Sequence, residues 1–387
     1  MINYACRYFR AAKPCIHNKR DGSECPTCHH ASEYKTRILF IKLDAIGDVL
    51  RSASLLPAIA AKHGAPYIVW LTREESAELV SMFALVDEVL VLSPEALARI
   101  AADRWDQVYS LSNDLTSASL ATAARCNNTP IGFYLADGKM TPSNAAATRW
   151  LEMAAFDRLK RANTQSYQRL MLDILGCPKA TIPPPPLQVD KELRAAAAAR
   201  LSNLLGQSTR KRIAINIGSG GRWPKKMLDE QQIHRLARRL QSQADVDIVL
   251  VGGKAEANKS AAIIAMCQPG DRIKAMLTGQ SVPEFVATLM HMHVLICGDT
   301  LALHVATALG LPSVVMFGPT SAAEIHDFDG LIRKTWTTDL DCLVCYGDCN
   351  KPRNCMSLLD LEDISRLVLR QLERDDRANM LPCPQID

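Results

Sequence analysis

Eight short apolar runs alternate with stretches of helical length, and this alternation constrains the fold more than any other feature of the chain. The first four are "RILFIKL" (37–43), "YIVWL" (67–71), "EVLVL" (88–92) and "QVYSL" (107–111). The second four are "RIAINI" (212–217), "VDIVLVG" (246–252), "VLICG" (294–298) and "SVVMF" (313–317). Helix-length segments lie between them, for example 48–62 and 74–84, and strand–helix–strand repeats predict parallel sheets covered on both faces. The pattern breaks at "CPKATIPPPPLQVD" (177–190), where four consecutive prolines favour a stiff extended connector. The expected architecture is therefore α/β, with two tandem doubly wound domains facing a cleft. Their expected extents are 37–180 and 191–376, joined by a linker at 181–190. A cysteine-rich segment (1–36) precedes them and a short tail (377–387) follows. "DLEDISRLVLRQLERDD" (360–376) reads as a closing amphipathic helix.

Composition excludes some classes. Hydrophobic residues make up 48% and charged residues 22% of 387, as in a soluble globular protein. No apolar run reaches the roughly 18 residues of a membrane span, and the basic N-terminus has no signal-like apolar core. We therefore expect a cytoplasmic protein, one compatible with peripheral attachment to the inner face of a membrane. The net charge of +4 is concentrated in residues 1–37, with seven Lys/Arg against three Asp/Glu, while the rest of the chain balances. No basic stripe interleaved with aromatics appears, so nucleic acid is not an expected partner.

Turns at the strand ends carry the first hint of chemistry. They read "GSGG" (218–221), "GG" (252–253), "GDT" (298–300) and "GPT" (318–320). Parallel strands bind ligands at their carboxyl edge. Four glycine turns in one half-chain point to a nucleotide or phosphate site, although any one of them only permits a tight turn. In the first half, Asp44, Gly47 and Asp48 stand where a strand hands over to a helix. A carboxylate there is either exposed at the cleft for proton transfer or placed in the helix's first turn, where the dipole favours it by ~0.3–1 kcal/mol. The residues alone leave both readings open.

"KLDAIGDVLRSASLLPAI" resembles the N-terminal signature of glycosyltransferase family 9, the ADP-heptose:lipopolysaccharide heptosyltransferases. "CGDTLALHVATALGLPSVVMFGPT" (297–320) is similar to the family's donor-site signature, and "GSGGRWPKK" (218–226) to a third family segment. The likeness runs in order from 37 to about 370. It implies a GT-B fold and inverting transfer of a heptose from ADP-heptose to a glycan (lipopolysaccharide-type) or protein acceptor, with no catalytic metal. It further implies Asp48 as catalytic base, with Gly47 and Asp44 on the acceptor side. Gly218, Arg222, Lys225, Asp299, Thr300 and His304 would serve donor binding. Leu301 stands where the family pattern has Gly, and Gly221 where it often has Lys. These departures keep in play a transferase of another nucleotide sugar; a second alternative is a non-catalytic module that senses a nucleotide sugar while its cysteine-rich N-terminus recognises a partner.

Thirteen cysteines fall into two clusters and five isolated positions. Cys342, Cys345, Cys349 and Cys355 lie within 14 residues with tetrahedral-metal spacing, and Cys6, Cys15, Cys25 and Cys28 form a looser set ending in a C-x2-C knuckle. Structural zinc or iron is expected at both, because four protein ligands leave no open position. Cys-rich fingers of the first kind also occur in some members of the resembled family. Cys126, Cys177, Cys267, Cys297 and Cys383 read as isolated thiols, most of them in apolar contexts.

Overall fold

A computed structural model describes residues 1–219, 226–279, 281–347 and 349–374. The first sheet contains β1 (Arg37–Ile41), β2 (Tyr67–Thr72), β3 (Glu88–Val91), β4 (Gln107–Ser110), β5 (Ile131–Ala136) and β6 (Lys139–Pro142). Their order is β3-β2-β1-β4-β5-β6, with β6 alone antiparallel to its neighbour. The second sheet contains β7 (Lys211–Asn216), β8 (Val246–Gly252), β9 (Ile273–Leu277), β10 (Val294–Gly298), β11 (Ser313–Met316) and β12 (Ile332–Thr335), all parallel. Its order, β12-β11-β10-β7-β8-β9, repeats the first sheet's topology. Two Rossmann-like domains of the GT-B kind result, each with its strand order reversing beside its first strand, between β1 and β4 and between β7 and β10.

The central strands are continuous apolar runs because helices cover both faces. Ile38, Leu39, Phe40 and Ile41 are fully buried, and Phe40 stacks on Trp70 with ring centroids 4.3 Å apart. One buried cluster runs from β1 through the helices Ile46–Ser52 and Leu301–Leu309 into β10, so the two domains share a core where they meet. Residues 181–186 form neither helix nor strand. They are strapped to the first domain where Ala84 N–H donates to Pro186 O and Gln188 N–H to Met82 O.

The expected helix over 48–62 is three pieces. Helix Ile46–Ser52 runs into a 3-10 turn, Ala53–Leu55, and a second helix, Leu56–His63, with Pro57 at its start. The proline cannot donate the bond a continuous helix needs, so the axis resets there. The closing helix is Leu361–Glu373, shorter than expected. The cysteine-rich segment packs at the amino edge of the first sheet. Arg7 pairs with Asp87 at 3.0 Å and donates to Ala65 O, and Tyr34 packs on Tyr67. Among the described residues no helix is long and apolar enough to cross a membrane.

Candidate active site

The carboxyl edges of the two sheets face one cleft of about 990 Å³. Turns after β1, β7, β8, β9, β10 and β11 all contribute to it, and the first domain adds Asp157 and Lys160 from the short helix Asp157–Ala162. Gly47, Asp48, Gly218, Asp299, Thr300 and His304 line this cleft together, although they come from three turns spread over some 250 positions of sequence. Arg222 and Lys225 lie outside the described residues.

Asp48 sits in the first turn of helix Ile46–Ser52. One of its oxygens is held by Arg51 at 2.6 Å, one helical turn on. Arg51 is itself mostly buried, with its guanidinium 3.8 Å from the centre of the Tyr167 ring, and it reaches toward Glu324 of the second domain at 3.9 Å. Ser52 Oγ donates to the Asp48 carbonyl and shares a hydrogen bond with Tyr167 OH. The carboxylate is therefore held in one orientation by a planar cation that is in turn clamped by packing. Gly47 is required by proximity: a Cβ there would stand 3.0 Å from His304 Cδ2 of the other domain.

Asp44 does something else. It is not among the cleft-lining residues; its carboxylate pairs at 2.7 Å with the buried ammonium of Lys42 and accepts from Ser112 Oγ. Burial alone would push this carboxyl up, but Lys42 and Ser112 outweigh it and hold it below its ordinary value. Asp44 thus keeps Lys42 charged inside the domain, and Lys42 points toward the Tyr167 ring beneath Arg51.

On the donor side, Thr300 is the N-cap of helix Leu301–Leu309, with no side-chain bond to the first-turn N–H groups. Asn216 Nδ2 donates to Gly218 O at 2.7 Å and to Thr300 Oγ1 at 3.4 Å, tying the turns after β7 and β10 together. Lys226 Nζ donates to Asp299 O at 3.0 Å and stands 3.9 Å from its carboxylate. His304 is 8% exposed and 4.0 Å from Asp299. Burial, reinforced by Arg51, pushes its imidazole down to about 4, so it is neutral at pH 7. Glu256, after β8, turns its carboxylate to accept from Gly253 N–H at the cleft edge.

The cysteine loop 342–355 closes one end of the cleft. Val344 N–H donates to Gly318 O and Tyr346 N–H to Pro319 O, so the loop pairs with the turn after β11. Tyr346 OH donates to Glu324 at 2.6 Å, and the ammonium of Lys160, from the first domain, lies 4.4 Å from the Tyr346 ring centre. Cys355 is packed under Gly318, where a Cβ would come within 2.3 Å of its Sγ. Burial raises the Cys355 thiol, with Cys345 and Cys349 close enough to add to the effect. Four thiols suit zinc or iron in chemistry, but their sulfurs are not drawn onto one point. Among the described residues, one trio of potential ligands has its donor atoms all within 4.8 Å, and it comes from neither cysteine cluster. Cys6, Cys15, Cys25 and Cys28 instead line a second cavity of about 510 Å³ at the far edge of the first domain.

Arg51, Lys160, Tyr167, Glu324 and Tyr346 were not marked by the sequence. Each is an ordinary helix or loop residue until the two domains are brought face to face; only the spacing of Asp48 and Arg51, i and i+3 on a helix, carried a usable signal.

The model of glycosyltransferase family 9 (heptosyltransferase) matches residues 96–351. No curated protein matches the chain in sequence. Among solved structures, a family 9 glycosyl transferase from Veillonella parvula is 17% identical, with TM-score 0.70, covering 88% of this chain and 98% of its own. The ADP-heptose lps heptosyltransferase II of E. coli is also 17% identical, with TM-score 0.64 and coverage of 88% and 99%. TibC of enterotoxigenic E. coli H10407, an iron-containing dodecameric glycosyltransferase, is 13% identical, with TM-score 0.50 and coverage of 88% and 77%.

Proposed function

This chain belongs to glycosyltransferase family 9, and from that premise we propose that it transfers a heptose from ADP-heptose to a hydroxyl of a glycan or protein acceptor, with inversion and with Asp48 as general base. The observation that carries the reading is that Asp48 of the first domain and the Asp299–Thr300 turn of the second line one cleft. In a single displacement the acceptor oxygen attacks C1 of the sugar from the Asp48 side, and its proton passes to the Asp48 carboxylate. The C1–oxygen bond to the diphosphate breaks on the other face, and ADP leaves with the electron pair.

The leaving diphosphate gains negative charge, and the reading assigns its stabilisation to the first-turn N–H groups of helix Leu301–Leu309, together with Lys226, Arg222 and Lys225. Neutral His304 offers a hydrogen bond without adding a cation that would compete with Arg51 for Asp48. To Glu256, which lines the cleft, we assign the acceptance of hydrogen bonds from sugar hydroxyls of the nucleotide. We also assign structural zinc or iron to Cys342, Cys345, Cys349 and Cys355, and to Cys6, Cys15, Cys25 and Cys28, on their spacing and thiol chemistry; binding would have to draw together sulfurs that do not meet at one point here. Such an ion would fix the loop it binds, and no step of the transfer runs through it. E. coli heptosyltransferase II, named for ADP-heptose, and iron-containing TibC share the fold and support the donor and metal assignments as precedents.

The decisive experiment is Asp48→Asn, read by turnover and by ligand-induced thermal stabilisation. We expect turnover to fall by about 10²–10⁴-fold while ADP-heptose still raises the melting temperature. Undiminished turnover overturns the base assignment. Stabilisation of the parent protein by UDP- or GDP-sugars in preference to ADP-heptose overturns the donor assignment and leaves a transferase of another sugar nucleotide.

A further inference from the structure

Away from the cleft, three metal-type side chains converge from three elements that the transfer chemistry does not use. His234 lies on helix Glu230–Gln243, Cys267 follows the end of helix Ala257–Ala265, and Asp271 precedes β9. None of them lines the cleft. Asp271 stands at the amino edge of the second sheet, so the group sits opposite the carboxyl edge that faces the cleft. The imidazole nitrogen, the sulfur and a carboxylate oxygen are all within 4.8 Å of one another.

We propose that His234, Cys267 and Asp271 bind one divalent zinc-class ion. The donor set, one imidazole, one thiolate and one carboxylate, is the mixed borderline kind that zinc accepts and that magnesium and calcium do not. Ligands 2.0–2.3 Å from a tetrahedral centre stand about 3.3–3.8 Å from one another. His234 Nε2 and Asp271 Oδ2 are 3.9 Å apart, too far for a hydrogen bond and near that spacing. Nε2 of His234 is buried and has no hydrogen-bond partner, which leaves it directed at a group the chain itself does not supply.

The surroundings resemble an outer shell. Asp271 Oδ2 accepts from Gln268 N–H at 2.8 Å, and Oδ1 faces Arg238 at 3.5 Å; ligating carboxylates are commonly oriented by such partners. Arg238 is half exposed, so its charge is partly screened by solvent. The Cys267 thiol donates to Ile263 O, a weak bond at 3.5 Å, and gives up its proton when the metal binds. The remaining coordination position goes to water. An ion here clamps the helix that begins beside Glu256 to the strand that leads to Thr278, both of which reach the cleft at their other ends. Its role is to stiffen that helix–strand unit.

The test counts zinc on the full chain, stripped by chelator and then equilibrated at fixed free zinc, by native mass spectrometry. Cys267→Ser, His234→Gln and Asp271→Asn are each compared with the parent, with Cys177→Ser as control. We expect each of the three to bind one equivalent fewer than the parent and to lose part of the zinc-dependent rise in melting temperature, with metal-free melting unchanged. The control should match the parent. Equal zinc counts in the parent and in every folded variant overturn the site. If one variant fails to fold, the other two still decide.

Discussion

His304 shows most clearly how one residue can tie the site to the stability of the whole chain. Its imidazole is buried against Gly47 and faces Arg51, and its folded value of about 4 lies below the 6.5 of the unfolded chain. Between those two values the unfolded state binds a proton that the folded state refuses, so stability falls as pH drops from above 6.5 toward 4. The loss is at most about 3 kcal/mol, complete near pH 4. Urea unfolding at pH 7.5 and pH 4.5 should therefore separate the parent from His304→Gln, which loses this part of the slope; identical pH dependence in the two would sink the account. Asp44 teaches a different lesson. The sequence marks it as an acceptor-side carboxylate, yet just past the end of β1 it pairs with Lys42, two residues back. What the sequence does not reveal is that Lys42 is buried, and a buried ammonium claims the nearest carboxylate before any substrate can. Asp48 is singled out by the resemblance rather than by its position, since Asp44 stands at the same strand-to-helix turn and faces inward to Lys42.

At the scale of elements, the eight apolar strands are found within a residue or two because an apolar run marks each, and all but the edge strand β3 are buried along most of their length. β5, β6, β9 and β12 are not: β6, β9 and β12 are edge strands that carry polar residues, and β5, beside β6, is only partly buried. β9 reads "IKAML", β12 reads "IRKT", and β6 ends in Pro142. The glycine in "FGPT" reads from sequence as a tight turn, whereas in the fold its function is to let Cys355 approach. Gly318→Ala puts a methyl within 2.3 Å of Cys355 Sγ and 2.7 Å of its Cβ. Those atoms belong to a short side chain with no room to swing aside, so the loop 342–355 must shift. We expect a loss of about 1–3 kcal/mol in urea unfolding and faster alkylation of Cys355. Unchanged stability together with an unchanged alkylation rate would show that the loop is not seated as described.

Across the whole molecule the same topology occurs twice, and the cleft is where the two switch points meet. Among the described residues, three of the contacts that bridge it are Gly47 against His304, Arg51 toward Glu324, and Lys160 over Tyr346. The basic N-terminal segment sits at the opposite edge of the first sheet, so its charge does not act on the donor walls directly. Such bridges are invisible to a linear reading, because each pairs residues from different domains whose relative placement no local pattern encodes. Of the three, the Lys160–Tyr346 contact is the one that tests closure without touching the proposed base. A cation over a tyrosine face is worth about 0.5–2 kcal/mol. A ligand that requires the closed arrangement loses apparent affinity by the fraction of closed molecules lost. Lys160→Ala should therefore raise the ADP-heptose concentration needed for half-maximal thermal stabilisation by roughly 2- to 30-fold. Turnover at saturation should change far less, since Asp48 and its Arg51 clamp stay in place. Lys160→Arg should restore most of the affinity, because a guanidinium also stacks on the ring. If the arginine variant is as weak as the alanine one, the contact with Tyr346 is not what holds the cleft shut.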